Sequence, residues 1–456
     1  MNVTEKLASF VVETNFDNIP SDGIEIVKRV SLDCLGAALA GYSHPIGKII
    51  TEFVKESGGS PKATVIGAGF KTSPHEAALA NGTLAHALDY DDYSLVLAGH
   101  PSVSLLPSIL AIGEDRGISG KKALTAYIVG FEIESKLGAG VNFRHYELGW
   151  HATCTLGTLG AAAACSSILG LDIEKTRMAL GIAASEASGL RQNFGTMTKP
   201  FHAGLSARNG VIAALLAEKG FTADKNILEA EFGFCNLFCG KGEYDSERIT
   251  SNLGNPFAIF KPGISIKPYP SCGGTHTALD AMLYLAKEND INPSDVEEIG
   301  VDIPELLPRV LIHSNPKTGL EGKFSMEFCM AITLLDRRAG LEQFTDEKVR
   351  DPRTVELIKK VKVRPQVNMT VDGTAGSIPV QVTVRLKDGR EFPRRVEVAK
   401  GNPDIPLSWN EVVDKFKDCA RLILSEEKCQ RVIRLMGELD HLGDTRELME
   451  LLIQTH

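Results

Sequence analysis

Between Asn81 and Ser104 the chain reads NGTLAHALDYDDYSLVLAGHPSVS, which sets Asp89, Asp91 and Asp92 beside Tyr90 and Tyr93 and then His100 in a Gly-His-Pro-Ser turn. Carboxylates orient imidazoles and hold cations, and an imidazole carries protons near neutral pH. His86 and Asp89 are three apart, so on a helix they share a face. Pro101 disfavours helical geometry at His100, which places His100 at the mouth of a helix starting at Pro101. Three acids leading to a loop histidine inside an apolar segment point to an enzyme.

Other segments carry matching chemistry. His151 follows Gly149-Trp150 at the head of a small-residue helix. SGLRQNFGTMTKPFHAG (188–204) is expected to gather Arg191, Lys199 and His202 between helices, and KPYPSCGGTH (267–276) forms a rigid, then flexible, loop. Lys323-Phe-Ser325 follows a turn-like stretch. Removing a proton α to a carboxylate builds a dianionic intermediate. Fixed Lys and Arg charges stabilise it, and a histidine near neutral pKa moves the proton. The same cations bind the carboxylates of a di- or tricarboxylate. His86, with one orienting neighbour, reads as a satisfied helix histidine. Cys235-x-x-x-Cys239 lacks a second Cys/His pair and reads as core rather than zinc site. There is no HExxH and no G-x-S-x-G, and Gly67-Ala68-Gly69 lacks the third glycine of a dinucleotide loop.

The elements that must hold these residues follow from periodicity. From Asp22, a candidate N-cap, to about Lys219 the pattern is helical: Val27, Val30, Cys34, Leu35 and Ala38 recur at 3–4 spacing, and 105–112, 123–133, 156–169 and 209–218 repeat it. Near Phe260 the texture changes. Residues 296–303 and 378–386 alternate, and the second run meets Asp388-Gly389 before 392–398, a hairpin signal. Ser408 and Glu411 make a capping box ahead of the final helices. The expected fold is mainly α: a large all-helical domain over 1–262 plus 403–456, with an inserted smaller α+β domain over 263–402.

Length and charge bound the partners. At 456 residues two domains are expected, and 49 basic against 58 acidic residues argue against nucleic acid or an anionic membrane as main partner. Nine cysteines without framework spacing, Cys34, Cys154, Cys165 and Cys329 among them in apolar surroundings, suit buried thiols in a cytoplasmic protein. The N-terminal MNVTEKLASFVVET lacks the basic and long apolar regions of a signal peptide. Residues 149–171 carry no formal charge and are long enough to span a bilayer, yet their Ala, Gly, Ser and Thr content suits a tightly packed buried helix.

Taken together, NGTLAHALDYDD with GHPS, GWHATCTLGTLGAA, NFGTMTKPFHAG, KPYPSCGGTH and TGLEGKFSMEFC resemble the MmgE/PrpD family in order and over nearly the full length. That family includes 2-methylcitrate dehydratases, cis-aconitate decarboxylases and iminodisuccinate epimerases. The resemblance implies a homodimer needing no cofactor or metal. It also implies active-site roles for Asp89, His100, His151, Lys199 and Lys267, with Asp89 orienting a neighbouring histidine. Tyr93, Arg191, His202, Cys272 and His276 are the motif residues expected to contact substrate. The decarboxylases have Thr where this chain has Tyr93 and His where it has Cys272, and their interval from motif Asp to His is ten, against eleven here from Asp89 to His100. KPFHAG is instead closer to decarboxylases and epimerases than to bacterial methylcitrate dehydratases. The expected activity is a cofactor-independent lyase of dehydratase or decarboxylase type. The alternatives are an epimerase or an inactive carboxylate-binding protein.

Overall fold

The computed structural model describes residues 2–372 and 377–454. The fold is mainly α, with 57% of residues helical, and the chain divides into two compact units. The first comprises Met1–Asn193, Met197–Ile264 and Ser408–His456; the second comprises Phe194–Thr196 and Ser265–Leu407.

Six helices of the first unit matter here: α1 (Ser21–Tyr42), α2 (Pro74–His86), α3 (Ser102–Arg116), α4 (Gly120–Val141), α5 (Ala152–Leu169) and α6 (Thr198–Glu218). α6 packs on both α2 and α5, and α5 also lies against α3 and α4. α5 is the uncharged segment noted above. It is long and apolar enough to cross a membrane, and 94% of it is buried inside the protein. Its Ala and Gly surface lets neighbouring backbones approach closely. Helix Trp409–Ala420 packs on α1, and its Ser408–Glu411 capping box is formed. Asp22 is not the N-cap of α1. Pro20 takes that position, because its fixed φ of −60° leads directly into the helix, and Asp22 sits in the first turn, where a carboxylate complements the helix dipole.

In the second unit four strands, β1 (Val296–Pro304), β2 (Val361–Gln366), β3 (Val380–Leu386) and β4 (Glu391–Val396), form one sheet in the order β2-β1-β3-β4. β1 and β2 are parallel; the other pairings are antiparallel. Alternation sets the faces: Val380, Val382, Val384 and Leu386 are buried, and Gln381, Thr383 and Arg385 between them are partly exposed. The hairpin turns at Gly389, whose φ of 89° suits glycine. Helix α7 (His276–Glu288) packs on β3 and β4. All nine cysteines are free, eight of them buried and Cys272 partly so.

Candidate active site

The site is built where α2 crosses α6. A Cβ at Gly204 would stand 2.2 Å from the Leu79 carbonyl oxygen and 2.2 Å from Thr83 Oγ1, and one at Gly82 would stand 2.9 Å from Gly204 Cα. Only paired glycines permit this approach. It sets the end of α2, where His86 is the last residue, beside the start of α6, whose first turn holds Lys199 and is followed by His202. Lys199 and His202 thus lie on a helix, not in the inter-helix loop expected from sequence. Pro200 is tolerated in that first turn because its missing N–H would have had no intrahelical partner.

After His86 the chain leaves the helix. Asp89 takes a left-handed φ of 51°, and the next residues turn back on themselves. Three buried carboxylates therefore point three ways. Asp89 Oδ1 accepts from Lys199 Nζ at 2.6 Å and lies 3.7 Å from His100 Nε2. Asp91 Oδ1 is 2.8 Å from His86 Nδ1, and its Oδ2 is 2.9 Å from His100 Nδ1. Asp92 accepts from the backbone N–H of Ser102 at 3.2 Å and from the Ser102 hydroxyl, which also meets the Tyr127 hydroxyl. Asp92 is thereby fixed at the N-terminus of α3, the helix that His100 precedes.

These contacts fix the tautomers. His86 Nδ1 faces a carboxylate and must carry hydrogen; His100 Nδ1 faces that same carboxylate and the Asp92 carbonyl oxygen at 2.8 Å, and must carry hydrogen too. In each neutral ring the lone pair is left on Nε2. Burial pushes His86 down to about 3 against the pull of Asp91, so its ring is neutral at physiological pH. Burial alone would raise the Asp91 carboxyl, yet the two imidazoles hold it well below the usual carboxylate range. Asp92 goes the other way: burial raises it well above that range despite the Ser102 hydrogen bonds. One anion thus faces two imidazole N–H groups. Of the pair, His100 keeps 12% of its side chain exposed, whereas His86 keeps none.

A second histidine pair adjoins the first. His151 Nδ1 and His202 Nδ1 are 3.1 Å apart, and the His86 and His151 rings stack at 6.2 Å. Burial and the nearby Lys199 charge press His151 well below its ordinary value and His202 to about 4. The backbone N–H of His151 donates to Gly189 O, and that of Arg191 to Gly149 O. This short bridge holds His151 at the head of α5. A Cβ at Gly189 (φ 107°) would come within 2.7 Å of Cys154 Cβ. Arg191 is turned aside: its Nη1 donates to Tyr146 O at 2.6 Å, and the guanidinium lies 3.7 Å from the Tyr146 ring centroid. Tyr93 is buried, 8% exposed.

Asp89, His100, His151, Lys199 and His202 are therefore brought together. Asp89 holds Lys199 and lies 3.7 Å from His100 Nε2, and Asp91 is the carboxylate at both imidazole Nδ1 atoms. His86 and Asp91, to which the sequence reading assigns no catalytic role, are in contact with this cluster through His100. Their five-residue spacing was the available signal: too far for one helix face, it fits a helix end that turns back. His86, Asp89, Asp91 and His100 present donor atoms within 4.8 Å of one another. Among these donors Asp89 Oδ1 already accepts from the Lys199 ammonium, and Asp91 faces both imidazole Nδ1 atoms.

Lys267, Cys272 and His276 belong to the second unit. There Lys267 is fully buried, the Cys272 N–H donates to Lys323 O at 2.9 Å, and His276 Nε2 contacts Ser271 O at 3.1 Å, bracing the loop.

Comparison with known proteins identifies the relatives of the chain. Residues 5–247 match the MmgE/PrpD N-terminal domain, and residues 269–441 match the MmgE/PrpD C-terminal domain. Cis-aconitate decarboxylase of Mus musculus is 29% identical over 467 residues, spanning 99% of this chain and 93% of that protein. The cis-aconitate decarboxylase of Aspergillus terreus is 28% identical, spanning 99% and 96%. The mitochondrial 2-methylcitrate dehydratase of Yarrowia lipolytica is 26% identical, spanning 85% and 77%. With two domain models matched in order across most of its length, the chain belongs to the MmgE/PrpD family.

Proposed function

We propose that this chain is a lyase of dehydratase or decarboxylase type that acts on a small di- or tricarboxylate by proton transfer α to a carboxylate. The observation that carries the reading is the buried Asp91 carboxylate between the Nδ1 atoms of His86 and His100, beside the Lys199–Asp89 ion pair. His100 is the acid/base: its Nε2 carries the lone pair, and it is the more accessible of the two rings. When Nε2 takes a proton, Asp91 stabilises the imidazolium, as a carboxylate does behind a catalytic histidine. The Lys199 ammonium, held by Asp89, lies beside the developing enolate charge. In a dehydration the imidazolium returns the abstracted proton to the departing hydroxyl; in a decarboxylation His100, first protonated on Nε2 from solvent, protonates the carbanion left by carbon dioxide. Neither step calls for a redox group. A homodimer and a cytoplasmic location form part of the same proposal.

An epimerase is the second reading, favoured by one observation: the His151–His202 pair supplies a second acid/base group next to the first. Proton NMR in deuterated water with cis-aconitate, 2-methylcitrate and iminodisuccinate separates the readings. Loss of water or carbon dioxide identifies a lyase. Deuterium entering the α position without net loss identifies an epimerase. Ligand-dependent melting with neither conversion nor exchange would leave only a binding protein.

A further inference from the structure

Four carboxylates, Asp33, Asp89, Asp91 and Asp92, are buried in this part of the first unit, each at most 4% exposed. Lys199 answers Asp89. A second buried cation comes from far along the chain. Lys415, on helix Trp409–Ala420, is 2.6 Å from Asp33 Oδ1 on α1, donates to the Tyr90 carbonyl oxygen at 2.6 Å, and stands 3.8 Å from the Tyr90 ring centroid. Tyr90 is the residue between Asp89 and Asp91. Its carbonyl and ring are gripped from one side while its neighbours point elsewhere, one to Lys199 and one to the two imidazoles.

We infer that Lys415 is a positioning residue for the proton-transfer site: by fixing the Tyr90 peptide it sets the opposed directions of Asp89 and Asp91. The turn needs such a clamp. Asp89 is held at positive φ, uncommon for a residue other than glycine, and the adjacent carboxylates repel one another across a poorly solvated interior. A cation bound to the peptide between them opposes both tendencies. Asp33 in turn holds Lys415, so the clamp joins α1, the carboxylate turn and a helix contributed by the C-terminal stretch.

This inference rests on the proposed lyase reading for its kinetic test, and a spectroscopic arm makes the two separable. Lys415→Met keeps the stem and deletes the charge. The expected result, well below the variant's melting temperature, is a fall in kcat of at least tenfold with KM within threefold. The double variant D33N/K415M removes both charges of the buried pair. It should regain most of the lost melting temperature while kcat stays low, since Tyr90 remains unclamped. A kcat within twofold of wild type in K415M, or recovery of kcat together with stability in the double variant, would overturn the inference, leaving Lys415 a partner of Asp33 alone. The imidazole 15N signals of His86 and His100 should shift in both variants whether or not turnover is detected. Unshifted signals overturn the positioning role, whereas a wild-type chain inert toward the whole substrate panel overturns the lyase reading by itself.

Discussion

Asp91→Asn is the sharpest perturbation of the proposed mechanism, because it deletes a charge while nearly preserving shape. The amide oxygen can still accept from His86 Nδ1, and His100 keeps its hydrogen bond to the Asp92 carbonyl oxygen. What disappears is the anion 2.9 Å from His100 Nδ1. At an effective dielectric of ~20, a unit charge pair at that distance is worth about 6 kcal/mol, a ceiling before reorganisation and desolvation are subtracted. Hydrogen bonds to charged groups contribute about 1.5–3 kcal/mol net. At about 1.4 kcal/mol per decade, this lower range corresponds to a fall in kcat of roughly 10- to 150-fold. The imidazolium formed during turnover loses this support, so the acidic limb of the pH–rate profile should also move to lower pH by about one to two units. KM should change little, since Lys199 and its partner Asp89 are untouched. Steady-state kinetics across pH 5 to 9, with substrate followed by NMR, measure all three. A kcat within threefold of wild type and an unmoved acidic limb would refute the assignment of Asp91 to the imidazolium.

Three further outcomes follow from particular contacts. Gly204→Ala places a methyl group against the Leu79 carbonyl and Thr83 Oγ1; it should cost about 1–3 kcal/mol by overpacking and lower kcat by parting His86 from Lys199, and an unchanged melting temperature with full activity would contradict the close-approach account. Lys267→Met keeps a fully buried stem while removing its charge; turnover should be lost with the melt close to wild type, and retained activity would remove Lys267 from the reaction. His145 contacts Phe238 O at 3.0 Å and Thr155 Oγ1 at 2.8 Å, and burial presses it down to about 4. The unfolded chain protonates this ring below about 6.5 and the folded chain does not, so its contribution is complete above that pH and declines on acidification toward 4, by about 1.4 kcal/mol per unit. Denaturant titrations of His145→Gln should therefore show a shallower stability loss than wild type between pH 6.5 and 4; parallel curves would refute the buried neutral state.

The sequence carried the scaffold more plainly than the site, for a physical reason. Helical periodicity and the Asp388-Gly389 turn are local signals, written within a few residues of where they act. The proton-transfer site depends on where a helix stops. Reading His86 and Asp89 as helical neighbours assumes that α2 continues, but it ends at His86, and the positive φ at Asp89 carries that carboxylate to Lys199 instead. Once the helix is broken, i,i+3 logic no longer applies, and Asp91, five residues on, reaches back to His86. Arg191 makes contacts that no local pattern signals: its guanidinium lies over the Tyr146 ring and donates to the Tyr146 carbonyl oxygen. The Tyr90 clamp lay beyond any local pattern, since Lys415 is 325 residues away. Buried charge is the common thread. Acids crowded into an apolar segment must each find a cation or a donor, so DYDD implied a compensating set before any fold was known. It did not imply which lysines would supply it, because that depends on helices packing from opposite ends of the chain.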